Sequence, residues 1–340
     1  DYQGVPLSLS MPVSNEVFPD KVIRPYLLGL LPDDRQVREN LGREHGVSSN
    51  DPYALLEHMG LDCPGAVQLC NPDELDKLSS RPDELIAVTD AQIAERIRNG
   101  RNGQFGSWLE EGESWSLGGM QSKFALRKQD GCWFSCQGAA ATTHILKGGI
   151  AGLENEALNE YLCMKLARAC GIPTANVEYR SFEGEPCIIV ERYDRVRDSE
   201  GRVLRLHQED MCQALSVLPE RKYAFEGGPS TPDILRLLKK TGTDAQHNIL
   251  HFTKMLFYNY LIGAPDAHAK NYSVLLGTHG RAIVAPMYDV ASILPYRKPN
   301  KVYRIATSIG GENRIGRVRS SSLRKYAENN GLLEHGLDTG

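Results

Sequence analysis

From about residue 113 onward the chain is punctuated in a way that admits few folds. SWSLGGMQSKFALRKQDGCWFSCQ reads as a strand, a glycine turn, a second strand (KFALRK), a QDG turn and a third strand (CWFSCQ), since short apolar and aromatic runs are bounded by Gly and Asp. THILK is a further short strand that ends in Lys147. ENEALNEYLCMKLARACG then reads as a helix over about 154–170, with acidic residues in its first turns and Gly171 at its end, as helix polarity favours. VEYRSFEG and EPCIIVERYDR follow as two strands. From about 206 the pattern turns mainly helical: QEDMCQALSV, then TPDILRLLKK with Thr231 as N-cap and Pro232 at N1, then HNILHFTKMLFYNYLI. Strands gathered ahead of helices make an α+β protein with a β-rich lobe followed by a helical one, an order that puts a cleft between two domains.

The preceding residues, 1–112, mix short apolar runs with turn and cap signals, Asp51 and Pro52 being an N-cap and N1 pair, and hold no chemical constellation. They read as a small α+β subdomain that positions or docks something. A chain of 340 residues exceeds one compact core, which supports the division into 1–112, 113–195 and 196–340. No apolar run approaches the ~18 residues of a membrane span, so no membrane partner is expected. The formal charge of −4 excludes polyanion binding by bulk electrostatics, although nine Lys and Arg crowd into residues 297–325, as a solvated basic face or as a phosphate-contacting surface. The eight cysteines include no CxxC pair and no zinc-finger spacing, and several lie in apolar runs, so free thiols in the reducing cytoplasm are expected.

The chemistry concentrates in GAPDAHAKNYSVLL, residues 263–276. Asp266, His268, Lys270 and Asn271 crowd into six residues between a helix-like and a strand-like run. Asp266 and Asn271 have the D-x-x-x-x-N spacing of a kinase catalytic loop, in which Asp accepts the substrate hydroxyl proton and Asn holds magnesium. YSVLL, the turn GTHGR and the strand AIVAPM then form a hairpin that returns a second carboxylate, Asp289, in MYDVAS, without the Phe-Gly that usually follows it. Upstream, SLGGMQSKFAL offers paired glycines whose backbone amides can approach phosphate oxygens, though it is neither G-x-G-x-x-G nor a Walker motif. Lys147 ends a strand as the phosphate-pairing lysine of a kinase would, Glu156 or Glu160 on the next helix can pair with it, and CIIVERYDR places a polar segment where adenine would be met. Taken singly, each feature is what an ordinary turn, strand end or solvated helix face would present; their order along the chain is not. A metallohydrolase site built from Asp266, His268 and Asp289 is the rival, but a cation such as Lys270 opposes a metal unless an anion is also present.

These residues resemble the HipA-type serine/threonine kinases of bacterial toxin–antitoxin modules. The stretches that carry the resemblance are PLSLSMP, SLGGMQSKFAL, THILK, NEYLCMKLA, VERYDR, RLHQEDMCQAL, LIGAPDAHAKNYSVLL, PMYDV and the SIGG segment, in order over nearly the whole chain. The resemblance implies a two-lobed protein-kinase-like fold, with the N-terminal α+β subdomain on the smaller lobe and a mainly helical C-terminal lobe, and ATP with Mg2+ as cofactors. It implies Asp266 as catalytic base, Asn271 and Asp289 as metal ligands, and Lys147 as the phosphate-binding lysine. Gly118, Gly119, Met120, Gln121, Ser122 and Lys123 would cover the phosphates; His268, Ala269, Lys270 and Tyr288 would lie beside them; Glu191, Arg192 and Tyr193 would form the hinge that contacts adenine. Ser116 falls where the family carries an autophosphorylated serine whose modification expels the glycine loop. The implied partners are a HipB-like helix-turn-helix antitoxin, operator DNA reached through it, and a protein substrate such as glutamyl-tRNA synthetase. The sequence lacks the family's amino-terminal residues and much of its carboxyl-terminal helical region, as a trimmed piece would. Two other functions remain in view, a catalytically silent corepressor acting with an antitoxin and a small-molecule or lipid kinase on the same fold.

Overall fold

The structure, a computed structural model, describes residues 4–75, 84–102, 109–110 and 112–332. The chain divides into two compact units. The sheet unit comprises Tyr26–Leu162 and Ala175–Gln208, and the helical unit comprises Asp1–Pro25, Cys163–Thr174 and Glu209–Gly340. The extreme ends of the expected N- and C-terminal segments, 1–3 and 333–340, lie outside the described residues.

Helix α1 (Asp20–Leu30) runs into the sheet unit and is followed there by α2 (Arg35–His45) and α3 (Pro52–Met59). Asp51 caps α3 as expected, its Oδ1 accepting from the amides of Tyr53 and Ala54. Next come β1 (Glu84–Val88), α4 (Asp90–Arg101), β2 (Phe124–Gln129), β3 (Cys132–Gln137), β4 (His144–Lys147), α5 (Glu156–Ala169), β5 (Val177–Phe182), β6 (Glu185–Glu191), β7 (Arg195–Arg197) and β8 (Val203–Arg205). Six of these strands form one antiparallel sheet in the order β1-β3-β2-β4-β6-β5. Its tight turns are local in origin: Asp130 and Gly131 between β2 and β3, and Glu183 and Gly184 between β5 and β6, all have positive φ, the two-residue hairpin geometry that suits the strand twist. Phe124, Leu126, Leu146, Phe182, Ile188 and Ile189 are buried in its core.

Two features of the sheet depart from the sequence reading. Strand β1 comes from the N-terminal segment and pairs with β3 at the sheet edge; mostly exposed, it carries no inside–outside alternation to announce it. The strand expected before the glycine turn does not form, and residues 113–119 make only isolated bridges, Glu113 to Gln137, Asp62 to Trp115 and Pro32 to Gly119. Side-chain chemistry anchors this segment instead. The buried Glu113 carboxylate takes Arg96 bidentately at 2.8 and 2.9 Å and also accepts from the Trp115 indole and the Ser135 hydroxyl, each at 2.9 Å.

In the helical unit, β9 (Gln208–Asp210) leads into α6 (Met211–Ala214), α7 (Thr231–Leu238), α8 (Ala245–Leu261), β10 (Ser273–Leu276), β11 (Ala282–Val284), β12 (Arg304–Ile309), β13 (Glu312–Arg314) and α9 (Ser320–Asn329). QEDMCQAL, read as helix, is half strand, because β9 joins the β10–β11 hairpin in a sheet ordered β11-β10-β9. The N-cap of α7 is Ser230 rather than Thr231. Asp233 reaches back to the Ser230 amide at 3.1 Å, while the buried Thr231 hydroxyl is engaged with Thr307 and the Ser308 carbonyl of β12. Part of the basic stretch is thus hairpin, β12 and β13 being joined by Gly310 and Gly311, both at positive φ. Phe252, Met255, Tyr272, Val274, Ile309 and Tyr326 are buried in this unit. Among the described residues no helix is long and apolar enough to cross a membrane.

Candidate active site

Helix α8 ends in a way that its sequence dictates. Gly263 adopts φ +65°, and the amides of Gly263 and Ala264 return to the carbonyls of Tyr260 and Asn259, a Schellman stop that launches the chain into the polar cluster. The cluster closes on itself. The His268 amide donates to the Asp266 carbonyl at 2.8 Å, the Asn271 amide to the His268 carbonyl at 2.9 Å, and Asn271 Nδ2 to the Asp266 carbonyl at 2.7 Å. That last bond fixes the amide so that Oδ1 is the atom Asn271 presents to a cation. Residues Ala269–Asn271 form a single 3₁₀ turn, and β10 begins two residues later.

The β10–β11 hairpin is clamped to α8 by Asn248. Its side chain accepts from the Val284 amide at 2.8 Å and donates to the Ala282 carbonyl at 2.7 Å and to Thr241 at 2.9 Å. Beyond β11, the Tyr288 hydroxyl donates to the Lys270 carbonyl at 2.8 Å and lies 2.6 Å from Ser273 Oγ, which ties the returning segment to the loop. Asp289 follows in the left-handed region, φ 56°, uncommon for a residue with a Cβ. Asp266 and Asp289 both act electrostatically on His268. Burial dominates that histidine, pushing its pKa down to about 4 against the opposing pull of Asp266, so the ring is neutral near pH 7. Lys270, expected beside phosphates, is buried with its ammonium 3.4 Å from Asp210 Oδ2; the other Asp210 oxygen caps α6 through the amides of Cys212 and Gln213. Tyr223, whose hydroxyl donates to Asp266 Oδ1, Asp210 and Asn248 are not marked by the sequence because each lies far from the motif, and only the fold carries it there.

The sheet unit holds the other candidates. Lys147, at the end of β4, makes a buried ion pair with Glu160 of α5 at 2.8 Å; of the two acids considered, it is Glu160 that pairs. Glu156 instead accepts from Gln121 of the glycine loop at 3.2 Å. Gly119 sits at φ +101°, and a Cβ there would meet Lys123 Nζ at 2.5 Å, so the loop wraps this ammonium closely. Gly118, Met120 and Ser122 complete the turn, with Met120 exposed. Ser116 is fully buried, its hydroxyl donating to the Leu30 carbonyl and its amide to that of Asp62. In the expected hinge, Glu191 accepts from Asn176 at 2.7 Å and Tyr193 donates to Gln208 at 2.5 Å. Arg192 is locked between Asp62 and Asp194 at 3.1 and 3.0 Å, and the amides of Glu191 and Arg192 donate to the carbonyls of Asn176 and Thr143, both at 2.9 Å.

The Asp266–Asn271 loop and the Asp289 segment tied to it suit a hard cation. Asn271 and Asp289 offer oxygen donors, which magnesium prefers, and the buried His268 Nδ1 has no hydrogen-bond partner among the described residues. Among the described residues no cluster of three or more His, Cys, Asp or Glu is arranged to hold a metal, so Asp266, His268 and Asp289 do not form the three-ligand site of the metallohydrolase alternative.

The chain matches two family models, the HipA-like C-terminal domain over residues 115–336 and the HipA N-terminal domain over residues 1–70. It is 36% identical over 98% of its length to Y4mE of Sinorhizobium fredii, which carries the name of a candidate kinase, and spans 78% of that protein. It is 27% identical over 97% of its length to the serine/threonine-protein kinase toxin HipA of Shewanella oneidensis, and spans 76% of it. Among solved structures, HipA in the complex of HipA, HipB and operator DNA from Shewanella oneidensis superimposes with a TM-score of 0.81 at 27% identity, covering 97% of this chain and 77% of that one.

Proposed function

We propose, since this chain belongs to the HipA family of serine/threonine-protein kinases, that it transfers a phosphoryl group from ATP to a serine or threonine hydroxyl of a protein. The observation that carries the reading is the closed loop in which Asn271 Nδ2 holds the Asp266 carbonyl while Tyr288 ties the Asp289 segment to it. Asp266 is the base: its exposed carboxylate receives the acceptor hydroxyl and takes its proton as phosphorus is attacked. Magnesium bound with ATP supplies charge neutralisation between phosphate oxygens, and Asn271 Oδ1 with the Asp289 carboxylate would hold it. In the sheet unit Lys147, aimed by Glu160, and the backbone amides of Gly118–Lys123 bind phosphate oxygens; in the helical unit neutral His268 offers a ring nitrogen to an anion. Lys270 acts through Asp210, holding the 3₁₀ turn in place. Glu191–Tyr193 form the segment that meets adenine.

Autophosphorylation at Ser116 belongs to the same proposal. Its fully buried hydroxyl sits against a carbonyl, and a phosphate bringing ~1.5 to 2 negative charges would be forced against that carbonyl's negative end. The modified segment must leave, and the glycine loop with it. The partners proposed are a HipB-like antitoxin, as in the Shewanella complex, and an aminoacyl-tRNA synthetase such as the glutamyl enzyme as substrate. Transfer from radiolabelled ATP tests the core of this. Asp266→Asn and Asp289→Asn are each expected to lower it by at least a hundredfold, and retention of wild-type transfer by either would sink the reading.

A further inference from the structure

Residues 219–228, PERKYAFEGG, connect α6 to α7 and have no part in the kinase reading. Their geometry gives them one. Two short 3₁₀ turns, Pro219–Arg221 and Ala224–Glu226, bracket Tyr223. The Tyr223 carbonyl accepts from the amides of Glu226 and Gly228, both at 3.0 Å, and a Cβ at Gly228 would lie 1.8 Å from the Arg221 carbonyl oxygen. The Lys222 carbonyl accepts from the Ala269 amide at 3.2 Å, which fastens the connection to the backbone of the Asp266–Asn271 loop. From this mount the Tyr223 hydroxyl donates to Asp266 Oδ1. The tyrosine ring meets His268 edge-on, centroids 5.1 Å apart at 85°, and His268 Nε2 faces the same Oδ1 at 3.8 Å.

A carboxylate that is 66% exposed would otherwise swing among rotamers, and proton abstraction depends on its angle to the acceptor hydroxyl. With Oδ1 held by a phenol and faced by a neutral imidazole, Oδ2 is the oxygen left to an incoming hydroxyl. We infer that Tyr223 is a positioning residue for the base, fixing the Asp266 carboxylate so that Oδ2 is presented to the serine or threonine acceptor. The inference rests on the kinase reading above.

The test uses the full chain, radiolabelled ATP and dephosphorylated casein as acceptor. Tyr223→Phe keeps the ring against His268 and removes only the hydroxyl. Its kcat is expected to fall about tenfold, the loss of one hydrogen bond to a charged group, with the KM for ATP, the binding of a fluorescent ATP analogue and the melting temperature unchanged. Incorporating 4-aminophenylalanine at position 223 restores an N–H donor at the ring tip and is expected to recover most of the rate. Wild-type kcat in the Phe variant overturns the inference. A parallel fall in nucleotide binding or melting temperature also overturns it, because the tyrosine would then be structural. Should the wild-type chain itself transfer no label, the kinase reading fails and takes the inference with it; label transfer by the wild type at a rate matched by the Phe variant removes the inference alone.

Discussion

Asp62 illustrates how far a single side chain can be from what its local sequence suggests. It lies in GLDCPG, where nothing marks it for a role, yet it is almost wholly buried and receives Arg192, Arg195 and Arg205 at 3.1, 2.9 and 3.1 Å together with the Thr142 hydroxyl at 2.6 Å. Burial by itself would raise its pKa, but Arg195, Arg192 and Arg205 overcome this and hold the carboxyl well below the usual carboxylate range. Asp194 accepts from the other side of Arg192 and from the Gly65 amide, so the cluster binds residues 62–65 to the segment that follows β6. Asp62→Asn leaves buried guanidinium groups without their shared counter-charge and is expected to cost about 3–5 kcal/mol in urea denaturation. A loss below about 1 kcal/mol would mean that Asp194 alone neutralises the cluster. The candidate site divides along the same line. Asp266, Asn271, Asp289 and Lys147 were readable because their spacing is local or follows an ordered series of elements. Glu160 was one of two possibilities, and Tyr223 and Asp210 were unreadable because no spacing rule relates them to the loop they support.

At the scale of elements, the hairpins were the most predictable part, since Asp130–Gly131 and Glu183–Gly184 each place a glycine where the two-residue turn needs positive φ, and the turn sets the register. The long connection between α6 and α7 was the least, because it has no hydrophobic period and its conformation comes from bonds among its own peptides. Gly228 is the tightest point of that connection. Gly228→Ala would force its methyl into the Arg221 carbonyl, so the connection must shift and carry Tyr223 from Asp266. We expect stability to fall by about 1–3 kcal/mol and phosphoryl transfer to fall several-fold, with fluorescent nucleotide binding retained. Normal transfer by a fully folded variant would show that the connection tolerates repacking.

For the whole molecule, buried titratable groups set an expected pH optimum of stability. Burial pushes His144, His251 and His268 down to about 4 from an ordinary 6.5, so as pH falls from 6.5 to 4 the unfolded chain binds protons that the folded chain refuses, and stability is lost. Burial pushes Glu209 up to about 8 from 4.5, with the neighbouring Asp210 charge adding to the rise, while its carboxyl accepts from the Leu9 amide at 2.7 Å. Between pH 4.5 and 8 the folded chain keeps a proton that the unfolded chain has released, so this group costs stability as pH rises. Below 6.5 the three histidines outweigh the one acid, and above about 7 the acid acts nearly alone, which places the maximum between about pH 6.5 and 7. Urea midpoints measured from pH 5 to 8.5 should peak there, and Glu209→Gln should flatten the alkaline side while leaving the acid side unchanged; an alkaline decline that persists in the variant would contradict the assignment. The amino-acid sequence by itself determined the α+β class, the turns, the caps such as Asp51 and the order of the motif residues, because these depend on neighbours a few residues apart. The edge strand β1, the anchoring of residues 113–119 by Glu113 in place of a strand, the choice of Glu160 for Lys147 and the seating of Tyr223 on Asp266 were decided by tertiary structure. Each rests on a contact between residues at least 13 positions apart, and no local pattern records which partner that will be; for Glu160 and Glu113 the choice is enforced by burying a charge with its counter-charge.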